Sequence, residues 1–119
     1  MWLDGPFSRE GRVGDPQRSL FLAMNRIALG GSKACQAQVP DTAYARLAEI
    51  RTPTLVLWGP LDVPSVVVNM QHAATTIPGA RTLELDGVAH LPSLEAPERF
   101  NAALAAFVEE FGTAHTPDP

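Results

Sequence analysis

Thr54-Leu55-Val56-Leu57-Trp58-Gly59-Pro60-Leu61-Asp62 is the stretch that decides the architecture of this chain. Its first five residues run apolar without alternation, the pattern of a parallel strand covered on both faces. A buried helix segment can also read this way. Pro53 in front of the run and Gly59-Pro60 behind it favour the strand, because proline biases its neighbour to extended backbone and Gly-Pro marks a turn. Asp62 therefore stands just past the end of a buried strand.

Downstream, Val66, Val67, Met70, Ala73, Ala74 and Ile77 recur at helical spacing from Ser65 to Ile77, although three consecutive valines disfavour a helix. Pro78-Gly79 closes that segment, and Arg81 to Leu85 reads as a second strand followed closely by His90. Positions 54 to 85 thus form a strand, helix, strand unit with a connection long enough for a parallel crossover. The last element is a helix opening at Pro97 with Glu98 in its first turn. It carries Phe100, Leu104, Phe107, Val108 and Phe111 on one face and stops at Gly112. Residues 113–119 are expected to form a loose tail. Upstream, Asp15-Pro16 opens a helix whose apolar face includes Leu20, Phe21 and Met24, and Gly30-Gly31 ends it. A shorter helix is expected from about Asp41, with Tyr44, Leu47 and Ala48 at helical spacing, before Arg51-Thr52-Pro53 turns the chain into the strand.

With 119 residues, 45% hydrophobic and 18% charged, the chain fits one small soluble domain or part of a larger one. A net charge of −4 provides no basic face for a phosphate backbone, which excludes nucleic acid as the expected partner. No apolar stretch approaches the ~20 residues that span a bilayer, and the start has neither a basic leader nor a long apolar core, so a cytoplasmic, membrane-free protein is expected. The single Cys35 cannot form an internal disulfide and reads as a small apolar packing residue. His72 falls inside a helix and His115 in the tail, with no His-x-x-x-His spacing, so no metal is expected, and no cofactor is implied. Gly30-Gly31-Ser32-Lys33 lacks the strand and the full pattern of a phosphate loop and reads as a helix stop.

From Ile50 to Val108 the chain resembles the carboxyl-terminal third of an α/β-hydrolase. The line Ile50-Arg-Thr-Pro-Thr-Leu-Val-Leu-Trp-Gly-Pro-Leu-Asp62 looks like the late strand that ends in the triad acid, and Ile77-Pro-Gly-Ala80 precedes the last strand. Gly87-Val-Ala-His-Leu-Pro-Ser-Leu-Glu-Ala-Pro97 is similar to the loop that presents the triad histidine and opens the final helix. The resemblance implies an α/β fold with an incomplete sheet. Residues 1–49 would be a lid or cap-like helical segment with its connecting helix, and 50–112 the carboxyl-terminal part of the core. It also implies catalytic roles for Asp62 and His90 in the family's order of nucleophile, acid, histidine.

No residue here is placed to be the nucleophile. Ser8, Ser19, Ser32, Ser65 and Ser93 all lie outside a Gly-x-Ser-x-Gly frame, so the resemblance implies that the elbow precedes residue 1. Within the family the nucleophile can also be an aspartate, giving dehalogenase or epoxide-hydrolase chemistry. The implied activity is cleavage of an ester, lactone or similar small substrate, with Trp2, Phe7, Met24 and Leu91 as candidates for lining the substrate pocket. Glu95 reads as a residue that fixes the His90 loop or favours the following helix start rather than one that does chemistry. Two parallel strands alone make a poor sheet, so self-association or pairing with a missing amino-terminal half is expected at the strand edge. The rival reading is a truncated, non-catalytic protein or pseudoenzyme that docks on a partner through that edge.

Overall fold

In a computed structural model, which describes residues 2–7, 11–30 and 43–112, the decisive stretch is strand β1 (Leu55–Trp58). It pairs in parallel with β2 (Arg81–Glu84), with Leu55 opposite Arg81 and Trp58 opposite Glu84. The ladder continues beyond both ends, where the Arg81 N–H donates to the Thr54 carbonyl and the Leu85 N–H to the Trp58 carbonyl, each at 2.9 Å. Helix α2 (Pro64–Thr76) makes the crossover between the strands.

The Val-rich α2 forms in spite of its propensity because both ends are marked and one face is buried. Pro64 occupies the first turn, where a missing N–H costs nothing, and Ile77 turns extended to end the helix. Val56 of β1, Ala73 of α2 and Ile77 make a small core, against which Leu47, Ile50, Trp58 and Met70 pack. Val68, the third valine, points to solvent at 59% exposure, so burial of its neighbours rather than helix preference holds this segment. The anticipated short helix is a 3₁₀ helix, Ala43–Glu49, packed on α2 by the Tyr44 ring, which stacks on His72 with centroids 4.5 Å apart. His72 thus has a packing role.

The other face of β1 is covered only loosely. Helix α4 (Pro97–Gly112) follows a four-residue helix α3 (Pro92–Glu95), which the sequence reading did not separate from it. An apolar groove of about 460 Å³ remains between Leu55 and Leu57 of β1 and Phe100, Leu104 and Phe107 of α4. Leu104 and Val108, expected on a packed face, are largely exposed.

Helix α1 (Gln17–Gly30) starts as expected, with Asp15 Oδ1 accepting the Ser19 N–H at 3.1 Å. Its apolar stripe differs from expectation: Leu20 and Met24 face solvent, because no other described helix or strand packs extensively on α1. The preceding segment is better buried. Leu3, Asp4, Gly5 and Val13 lie inside, where the chain crosses the turn that carries Asp62. Cys35, the sequence Gly31-Ser32-Lys33, the start of the second helix at Asp41, and the tail with His115 lie outside the described residues. Among the described residues no helix is long and apolar enough to cross a membrane.

Candidate active site

The turn after β1 and the loop after β2 meet backbone to backbone, and glycine permits it. A Cβ on Gly59 would run into the carbonyl oxygens of Val88 and Ala89, well inside van der Waals contact. With no side chain there, the Leu61 N–H donates to the Val88 carbonyl at 3.0 Å and the Asp62 N–H closes a turn onto the Gly59 carbonyl at 3.2 Å. This contact brings Asp62 and His90 together from the ends of adjacent strands.

Asp62 is buried at 7% exposure and both carboxylate oxygens are used. Oδ1 accepts the Val63 N–H at 2.6 Å, and Oδ2 lies 2.7 Å from Nδ1 of His90. A carboxylate can only accept, so Nδ1 carries the proton and the ring's other nitrogen, Nε2, keeps its lone pair when the histidine is neutral. Nε2 has no hydrogen-bond partner among the described residues, and the His90 side chain is 29% exposed. The pair is thus open on the side where a reacting group would approach.

Glu95 holds the histidine loop from both flanks. Its Oε2 accepts the Ala89 N–H and its Oε1 accepts the Leu91 N–H, each at 2.9 Å, so one carboxylate straddles His90. The Glu95 side chain is only 1% exposed and is paired with Arg12. Arg12 also donates to the carbonyls of Leu3 and Gly87 at 2.6 Å and of Asp4 at 3.4 Å. Beside it, Asp4 accepts Arg18 at 2.7 and 2.6 Å through its two oxygens and the Val13 N–H at 3.2 Å. Burial works to raise the Asp4 carboxyl, but the Arg18 hydrogen bond, the Val13 and Gly11 amides and the Arg18 charge outweigh it and hold the group at about 2.

Trp2 forms one wall of the site. Its carbonyl accepts the His90 N–H at 3.4 Å, and its indole meets the imidazole edge to face, with centroids 4.5 Å apart. Together with Val63, Val66, Asp62 and His90 it lines an apolar cleft of about 150 Å³. Of the four residues expected to line a pocket, Trp2 lines this cleft. Phe7 and Met24 project into solvent at 86% and 72% exposure, since among the described residues neither finds an element to pack on. Leu91 is half-buried and is not among the cleft's lining residues. Val63 and Val66 were not anticipated as lining residues; the only available signal was their position beside Asp62 and one turn into the next helix. Arg12 gave no signal, because an isolated arginine between glycines is usually a solvated surface charge.

Comparison with known proteins agrees with this architecture. No family model matches the chain. In sequence it is 35% identical over 69 residues to rhodomycin D methylesterase DauP of Streptomyces sp. (strain C5), covering 58% of this chain and 23% of that protein. It is 32% identical over 92 residues to the polyketide synthase ThaQ of Burkholderia thailandensis, covering 75% of this chain and 4% of ThaQ. Among solved structures, Est816, described as an N-acyl homoserine lactone degrading enzyme, superposes with a TM-score of 0.51 at 42% identity, over 55% of this chain and 25% of Est816. Carboxylesterase CesB (YbfK) of Bacillus subtilis superposes with a TM-score of 0.54 at 24% identity, over 65% of this chain and 28% of CesB. The architecture is that of part of an α/β-hydrolase fold, and these likenesses agree with it. The chain spans less than a quarter of the length of the curated relatives it matches.

Proposed function

We propose that this chain supplies the acid and base of a nucleophile, Asp, His triad in a hydrolase that cleaves an ester, lactone or similar small neutral substrate. The observation that carries the reading is the 2.7 Å pair between Asp62 Oδ2 and His90 Nδ1 beside an apolar cleft. Asp62 keeps the proton on Nδ1, which leaves Nε2 to take the proton of an attacking hydroxyl as it bonds to the substrate carbonyl. The imidazolium so formed is stabilised by the buried carboxylate, and His90 then returns the proton to the departing alcohol. Water reverses the sequence to free the acyl group. The methylesterase, lactone-degrading and carboxylesterase descriptions of the relatives support a carbonyl ester or lactone as the substrate class.

Among the described residues no hydroxyl is bonded to His90, so in this reading the attacking hydroxyl comes from another segment or subunit. The test is hydrolysis of p-nitrophenyl butyrate by this chain together with the segment or subunit that carries the nucleophile, compared with the same assembly bearing His90→Ala or Asp62→Asn. The reading expects the wild-type rate to exceed both variants, and equal rates for wild type and His90→Ala would overturn it.

A second reading, a non-catalytic protein that docks through its strand edge, is favoured by one observation. Among the described residues β1 is hydrogen-bonded on the β2 side only, and the groove lined by Leu55, Leu57 and Phe100 lies on its less covered face. A folded, self-associating chain that gives no hydrolysis above buffer even with the nucleophile-bearing segment supplied would favour that reading.

A further inference from the structure

Two charged residues outside the dyad converge on the backbone that carries His90. Glu95 is almost fully buried, and its two oxygens accept the amides immediately before and after the histidine. Such a carboxylate needs a compensating charge, and Arg12 supplies it from a segment more than eighty residues away in the chain, with a separation of 83 positions. The same guanidinium reaches the carbonyls of Leu3, Asp4 and Gly87. It therefore fastens the amino-terminal segment, which places Trp2 against the imidazole, to the loop that places the imidazole itself.

We propose that Glu95 and Arg12 are positioning residues for His90, a clamp that sets the histidine loop and the Trp2 wall as one unit. The proposal rests on the reading of His90 as the base, and it concerns how that base is held rather than whether it reacts. Helix α3 offers the alternative that Glu95 serves only as a local helix residue. Against that stands its exposure of 1% and its use of both oxygens on amides of the preceding loop, one of them upstream of the histidine. The bond to Arg12 spans the chain in a way that a local role would not require.

The experiment is proton and nitrogen NMR of the whole chain, following the His90 Nδ1–H resonance and the Trp2-to-His90 ring contact. Exchange of the Ala89 and Leu91 amides is followed in the same samples, with wild type compared against Glu95→Ala, Glu95→Gln and Arg12→Ala. Clamp function predicts loss of the Nδ1–H resonance and of the ring contact in Glu95→Ala and Arg12→Ala. It also predicts amide exchange at residues 89 and 91 at least about tenfold faster, while the amides of β1 and β2 stay protected. Glu95→Gln has one oxygen acceptor left and should give partial loss, which keeps the test decisive if the alanine variants do not fold. An unchanged Nδ1–H resonance and ring contact in Glu95→Gln and in any folded alanine variant would overturn the proposal. Absence of the Nδ1–H resonance in the wild type itself would sink the dyad reading, so the two failures are distinguishable.

Discussion

Replacing Gly59 by alanine tests whether the backbone contact between the two loops is what assembles the dyad. The added Cβ would meet the carbonyl oxygens of Val88 and Ala89. These atoms belong to backbone and cannot rotate away as a side chain could, so the loops must separate. Overpacking at a rigid site costs about 1–3 kcal/mol, and breaking the Leu61-to-Val88 hydrogen bond adds about 1 kcal/mol, for a total of about 2–4 kcal/mol. With a urea slope of about 1–3 kcal/mol per molar, the unfolding midpoint should fall by roughly 0.7–4 M. The displacement acts directly on the site, since Asp62 sits on one loop and His90 on the other. The His90 Nδ1–H resonance should vanish even at low urea. Gly14→Ala is the control: nothing lies within 4 Å of a Cβ there and its φ is not positive, so about 0.4–1 kcal/mol of stabilisation is expected. A Gly59→Ala chain whose midpoint stays within about 0.3 M of wild type, with the Nδ1–H resonance intact, would refute the argument.

The core on the α2 side should be far more sensitive than its exposed face: Ile77→Ala should cost about 2–4 kcal/mol in urea unfolding, whereas Val68→Ala, at 59% exposure, should change stability by no more than about 0.5 kcal/mol. Acid should unfold the chain in part through Asp4. Its carboxyl is lowered from 3.8 to about 2 in the folded state, so the stability it contributes is present above about pH 4 and is lost as pH falls toward 2. Asp4→Asn should flatten the unfolding midpoint against pH across that window, and an unchanged slope would remove Asp4 from the account. Raising the salt concentration should weaken the Arg81 pair with Glu110, which is solvent-exposed, while leaving the buried Glu95 pair with Arg12 in place. The resonances of the two guanidinium groups would report this.

Strands and helices were legible here because each is punctuated locally. Pro53 and Gly59-Pro60 bracket β1, Pro78-Gly79 closes α2, and Pro97 opens α4, so these limits were readable to within a residue or so. That Asp62 and His90 would lie near each other was legible from their places a few residues past strand ends together with the family resemblance, and the two side chains meet at 2.7 Å. Burial was less legible. The periodicity that placed Leu20, Met24 and Leu104 on apolar faces is a property of one helix, whereas coverage depends on what lies opposite, and nothing described packs closely there.

What could not be read at all is the part of the site built by distant contacts. Arg12 reaches Glu95 because Leu3, Asp4 and Arg12 lie together against the loop from 87 to 95, and no local pattern encodes that approach. Trp2 was chosen as an apolar candidate, yet its contact with His90 depends on the same crossing, as does the use of Gly5, whose missing side chain makes room for the Leu61 carbonyl. The Asp62–His90 pair thus has two supports of different kinds. The ends of β1 and β2, with the glycine contact between their loops, fix how close the two side chains come. The Arg12–Glu95 link fixes what stands beside them. A substitution in the first should abolish the pair, whereas one in the second should leave the strands paired and loosen only the histidine and its aromatic wall. The difference between Gly59→Ala and Glu95→Gln in strand amide protection is therefore the observation that separates the fold's contribution to the site from the clamp's.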